Sequence, residues 1–172
     1  MIDWMISVDP SSTSSGVALW LAGSLSWSWT LRRRDRKGGP VWTLSSEDRT
    51  GYQRREAWQH LLTRPGSGLV VAERSSGQHA NSIDAIARER GYIQAMADVH
   101  GVAYVEIPTS EWRRVVKEEF ATSWPAGRDA IKSHAVRLVE RRYARRVPDD
   151  EAEAILIGMA AMRAGYAEFR RA

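Results

Sequence analysis

The chain has 172 residues, a formal net charge of +4 and no cysteine, which excludes disulfide cross-links and thiolate zinc sites. Its length suits one domain over residues 1–172 with a real core, no stretch is long and apolar enough to span a membrane, and the start lacks a signal peptide's basic head and long apolar centre, so the expected location is the cytoplasm. Of the 25 basic residues only Lys37, Lys117 and Lys132 are lysine, and this excess of arginine leans towards phosphate partners, although genomic base composition accounts for it equally well.

Residues 3–9 (DWMISVD) read as a strand, followed by a Ser-rich turn and a second strand at 16–22. Residues 24–31 alternate small polar with large apolar side chains and predict a third antiparallel strand. Residues 32–47, with a basic run, two Gly and a Pro, predict an exposed loop leading to a helix at about 48–63. A buried-type strand then ends in Glu73, and a Ser/Gly loop at 74–79 precedes a helix at about 81–99, which Asn81 or Ser82 can cap and which Gly101 ends. A strand at 102–107, a short helix from Thr109 or Ser110 through Lys117, a helix at 128–142 and a last helix from about Asp149 to Phe169 complete the order β-β-β-α-β-α-β-α-α. Residues 154–162 are apolar or small on every side, so the last helix should be buried.

Acids stand where these apolar elements begin or end: Asp9 and Glu73 close strands, and Asp150 and Glu153 open the last helix. Each alone has an ordinary explanation. Asp9 can bond the backbone of its own turn, Glu73 can pair with Arg74 at the surface, and one acid of the last helix, with Asp149 the choice, can cap it. The joint occurrence points to a site. Two carboxylates about 4 Å apart repel by roughly 4 kcal/mol at an effective dielectric of about 20, so such a cluster calls for a divalent cation, and hard oxygen donors suit Mg²⁺ or Mn²⁺. A pair of such ions would make the chain a phosphodiesterase. Lys132, Arg141, Arg142, Arg145 and Arg146 are either phosphate contacts or solvated charge, and His79 is either a loop bystander or an aid to phosphate. Most of the eight Trp should fill the core, with Trp27, Trp29 and Trp42 as candidates for base stacking.

Ser7-Val8-Asp9-Pro10-Ser11-Ser12 with Gly16, then Val70-Val71-Ala72-Glu73, Ala130-Ile131-Lys132-Ser133 and Asp150-Glu151-Ala152-Glu153-Ala154-Ile155, in that order, resemble RuvC-type Holliday junction resolvases. The resemblance covers nearly the whole chain and implies an α/β, RNase H-like fold with a mixed five-stranded sheet in the order β-β-β-α-β-α-β-α. It further implies a homodimeric endonuclease that cuts four-way DNA junctions with two Mg²⁺ per site, Mn²⁺ substituting. Asp9, Glu73, Asp150 and Glu153 match the metal-binding acids and Lys132 a basic catalytic position; Lys117, Arg74 and Ser76 match DNA-contacting positions, and the helix at 81–99 the dimer contact. Two departures stand out: Glu153 replaces the family's usual Asp, and Ser76 an aromatic that enters the junction. These departures suggest a phage-encoded or divergent member. The rival readings are another RNase H-like nuclease acting on flaps, RNA–DNA hybrids or RNA, and a non-catalytic junction-binding protein.

Overall fold

Alternating apolar and small residues build β1 (Trp4–Asp9), β2 (Ser14–Leu21) and β3 (Ser24–Arg36), which join β4 (Gly39–Thr43), β5 (Gly68–Arg74) and β6 (Ala103–Pro108) in one sheet of order β4-β3-β2-β1-β5-β6. The computed structural model describes residues 1–36, 39–43, 54–74 and 80–170. β1 runs antiparallel to β2 and parallel to β5, and β5 parallel to β6. The helices are α1 (Arg54–Leu62), α2 (Ala80–Val99), α3 (Thr109–Phe120), α4 (Arg128–Tyr143) and α5 (Asp149–Arg163).

Side-chain alternation sorts the strands between two cores. Met5, Ala18, Trp20, Leu69 and Val71 pack with α3, α4 and α5, whereas Ile6, Val8, Val17, Leu19, Val70 and Ala72 pack with α1 and α2. As expected, α5 is buried from Glu151 through Ala161. Ile155, Leu156 and Ile157 alone stabilise the fold by about 1.5–3 kcal/mol each through burial. The helix lies close on the sheet: Ser7 Oγ donates to the Ala154 carbonyl at 2.7 Å and accepts from Trp20 Nε1 at 2.9 Å. At Gly158 a Cβ would stand 2.2 Å from Trp20 Nε1, which is why only glycine fits there.

The structure departs from the sequence expectations in three places. All five expected strands are present, and a sixth, β4, comes from the segment expected to be a loop. β3 continues through the basic run to Arg36 and pairs residues 32–36 with β4; Pro40 is tolerated because β4 is a sheet edge, and buried Trp42 and Thr43 hold the strand down. α5 stops at Arg163 rather than near Phe169: Gly165 takes φ 81°, and the Tyr166 N–H bonds the Ala161 carbonyl at 2.9 Å, a glycine-ended helix stop. The chain then returns to the sheet, where Phe169 pairs with Ile2. Third, no side chain caps α3 or α5, which follow Pro108 and Pro148; Asp149 is the first residue of its helix and not the cap. Residues 48–53 of the expected first long helix and the capping side chains of Asn81 and Ser82 lie outside the described residues.

Candidate active site

Val8 pairs with Ala72 in the parallel ladder, so Asp9 and Glu73 follow side by side at the carboxyl ends of β1 and β5, the usual ligand position in such sheets. Alternation turns both towards the face that α5 covers. The first turn of α5 then brings Asp150 and Glu153 to the same place, three apart on neighbouring faces of the helix. Together with Pro10, Ser11, Arg113, Arg128, Ile131 and Lys132, the four acids line a cavity of about 430 Å³. The approach is set by backbone contact: a Cβ on Gly16 would lie 1.8 Å from the Asp150 carbonyl oxygen.

Crowding shows in the proton affinities. Burial, then the charges of Glu73 and Glu153, a hydrogen bond with Glu73 and the charge of Asp150 hold Asp9 well above the ordinary carboxylate range. Glu153 is pushed up to about 7 by burial and then by Glu73, with Lys132 and Arg113 opposing. Lys132 sits against the other end of the cluster, with Nζ 2.7 Å from Asp149 Oδ2 and 2.9 Å from Asp150 Oδ1. Burial lowers its proton affinity, but the hydrogen bonds to Asp149 and Asp150 outweigh this and raise it.

The donor set fits a hard divalent cation, being four carboxylates crowded enough that two hold protons too tightly. Their oxygens are otherwise engaged: Ser14 Oγ donates to Asp150 Oδ2 at 2.6 Å, Thr109 Oγ1 to Glu73 Oε1 at 2.5 Å, and Arg113 stands 3.9 Å from Glu153 Oε1. Among the described residues, no group of three or more His, Cys, Asp or Glu side chains is placed to hold a metal ion as it stands.

Of the basic residues singled out in the sequence, only Lys132 lines the cavity. Lys117 is exposed on α3 and does not line it; one turn earlier on the same helix Arg113 does, with its guanidinium carbon 5.2 Å from the Trp112 ring and 5.4 Å from the Trp124 ring. Arg74 is exposed at the end of β5, and Glu73 is buried with Thr109 rather than paired with Arg74 at the surface. Ser76 and His79 lie outside the described residues. Arg141 spans the Phe120 ring and carbonyl, and Arg142 stands 4.0 Å from Glu119. Trp42 is core, Trp29 half-buried and Trp27 exposed. Sequence reading missed Arg113, Arg128, Ser14, Thr109 and the role of Glu151, which turns away from the cavity to accept hydrogen bonds from Ser28 Oγ at 2.7 Å and Thr30 Oγ1 at 3.1 Å. Arg113 was legible only as part of the basic, Trp-bearing run of α3.

The raised acids predict a pH dependence. A carboxyl whose folded pKa exceeds its unfolded value binds more protons when folded, so stability from Glu153 is fully present below its ordinary 4.5 and is lost as pH rises through about 7. The loss is on the order of 3 kcal/mol, worth several degrees in a chain of this size. Without divalent metal, Tm should be higher at pH 5 than at pH 8, Glu153→Gln should flatten the slope, and Mg²⁺ should recover Tm at pH 8; calorimetry with and without EDTA is the check.

Mixed pairing, helices on both faces and acids at adjacent strand ends define an RNase H-like α/β fold. No protein-family profile matches the chain, and no curated protein matches it. Solved structures do, and they make the fold that of RuvC-type resolvases. Thermus thermophilus RuvC in complex with a Holliday junction substrate superposes with TM-score 0.60 at 14% identity, over 94% of each chain. A second structure of that RuvC gives 0.54 at 15% identity, covering 94% of this chain and 96% of that one. The fowlpox virus Holliday junction resolvase gives 0.57 at 9% identity, covering 94% and 98%.

Proposed function

We propose that this chain is a metal-dependent endodeoxyribonuclease that resolves four-way DNA junctions. The observation that carries the reading is the single cavity lined by Asp9, Glu73, Asp150 and Glu153 at adjacent strand ends. A fold shared along nearly its whole length with a RuvC solved on junction DNA supports it. Asp9, Glu73, Asp150 and Glu153 would hold Mg²⁺, or Mn²⁺ in its place. When bound, two such ions supply the Lewis acidity for phosphodiester hydrolysis to 5′-phosphate and 3′-hydroxyl ends. Arg113, flanked by two indoles, presents a fixed cation to the phosphate, so developing negative charge meets a donor that needs no reorganisation. Lys132, held against Asp150, keeps a second positive charge at the cavity, and Ser14 and Thr109 orient Asp150 and Glu73. Exposed Arg74 and Lys117 are left to contact DNA arms outside the cavity.

A homodimer joined through α2 belongs to the same proposal. Ala87, Gly91, Ala95 and Val99 are all exposed and recur every fourth residue along that helix, a stripe on which another helix can lie closely. A two-fold pair would present two cavities to a junction with similar symmetry. Light scattering should give twice the chain mass, and the single-chain mass for Gly91→Arg.

The reading is tested on end-labelled four-way junction, linear duplex and RNA–DNA hybrid with Mg²⁺, Mn²⁺ or EDTA. Paired metal-dependent cuts near the crossover are expected. Binding without cutting would make the chain a junction-binding protein, and cutting of the hybrid alone would make it an RNA-directed nuclease.

A further inference from the structure

On the uncovered part of β3 an exposed aromatic ring stands against an arginine from the turn that leads into the cavity. Trp27 is 53% exposed, whereas five other Trp are at most 5% exposed. β4 pairs only with residues 32–36 of β3, so among the described residues no strand covers the stretch that carries Trp27. The ring meets Arg145 instead, whose guanidinium carbon lies 5.3 Å from the ring centroid. Arg145 and exposed Arg146 stand on the turn between α4 and α5, just ahead of Asp149 and Asp150. Ser28, the next residue of β3, points to the opposite face of the sheet, where its Oγ bonds Glu151 at 2.7 Å; the link to the cavity is Arg145 itself, which reaches Trp27 from the turn that leads into cavity-lining Asp150. The mechanism above uses none of Trp27, Arg145 and Arg146.

An indole braced by a guanidinium, with a second arginine beside it, has the chemistry to stack an unpaired base and grip its phosphate. A base inside a duplex does not offer its face to such a ring, whereas a strand that leaves a branch point does. We propose that Trp27, Arg145 and Arg146 form a nucleotide-stacking site for an unpaired stretch of the DNA held at the cavity, with the base on the exposed indole and the phosphate on the guanidinium groups. The site accepts any base, because each has a π-face and no base-edge donor or acceptor is required. This inference rests on the DNA-cleavage reading and adds where the strand runs beyond the acids.

The test is fluorescence anisotropy in EDTA, so that neither metal nor cleavage enters, with a labelled four-way junction, a short single strand and a linear duplex. Stacking of one base predicts that Trp27→Ala weakens junction and single-strand binding by about 5- to 150-fold, that Trp27→Phe retains most of the affinity, and that duplex binding changes by less than about threefold. Arg145→Gln should weaken the same two ligands. Wild-type binding with Trp27→Ala unchanged, its melting curve intact, would overturn this site and leave the nuclease reading standing. Loss of self-association in Trp27→Ala with DNA binding intact would make the patch a protein contact and overturn it as well. Failure of the wild type to bind any of the three DNAs would remove the nuclease reading and this site with it.

Discussion

Asp9→Asn should abolish junction cleavage, by about 10³-fold or more, while leaving junction binding within about threefold of the parent. The side chain keeps its shape and loses its charge, so the change is confined to chemistry. Asp9 stands at the centre of the cluster, raised in proton affinity by burial and by Glu73, Glu153 and Asp150 in turn. An amide there can neither ionise nor offer two acceptor oxygens to a cation. Binding should survive because the phosphate-directed charge resides in Arg113, Arg128 and Lys132, which line the same cavity and are unaltered. An amide has no proton to lose, so the metal-free variant avoids the cost of ionising a buried acid beside Glu73 and should melt no lower than the parent. Single-turnover cleavage beside anisotropy separates the two steps. A variant that cuts at the parent rate would remove Asp9 from the chemistry and the cavity from consideration as the active site.

Gly16→Ala should damage both stability and cleavage through one methyl group. The new Cβ would lie 1.8 Å from the Asp150 carbonyl oxygen and 2.3 Å from its carbon, distances that real side chains do not adopt. The obstacle is backbone on both sides. β2 is clamped between β1 and β3 and cannot retreat, so the first turn of α5 must move, and with it Asp150 and Glu153. Overpacking of this kind costs about 1–3 kcal/mol or more, and at about 2–4 °C per kcal/mol the expected fall in Tm is roughly 2–12 °C. A displacement near 1 Å at the acids should lower cleavage by about a hundredfold. Parent-like melting and cutting by Gly16→Ala would mean that α5 is not held against β2 at this point.

The acids were legible because short-range rules reach them. Asp9 and Glu73 terminate apolar strands, and alternation over a few residues puts both on one face. Asp150 and Glu153 open a helix whose apolar run already marks it as buried. The cations were harder to read. Lys117 and Arg113 lie on the same helix one turn apart, and the choice between them depends on how α3 turns against α5 and on the indoles of Trp112 and Trp124. The same holds for Asp149, which has the composition of a cap but reaches Lys132 across 17 positions. It holds again for Glu151, one acid among four in a row of five, which turns to hydroxyls on β3 more than 100 positions away. β4 was hidden by its own composition: Gly, Pro and arginines read as loop, and only pairing with the far end of β3 and burial of Trp42 make them a strand.

By itself, then, the amino-acid order determined every strand but β4, the buried last helix and the four acids, since these depend on periodicity and on chemistry over a few neighbouring residues. The tertiary structure decided which acids face the cavity, which cations join them and where glycine is obligatory. Those outcomes depend on helix rotation and on contacts between residues far apart in the chain, which no local pattern encodes.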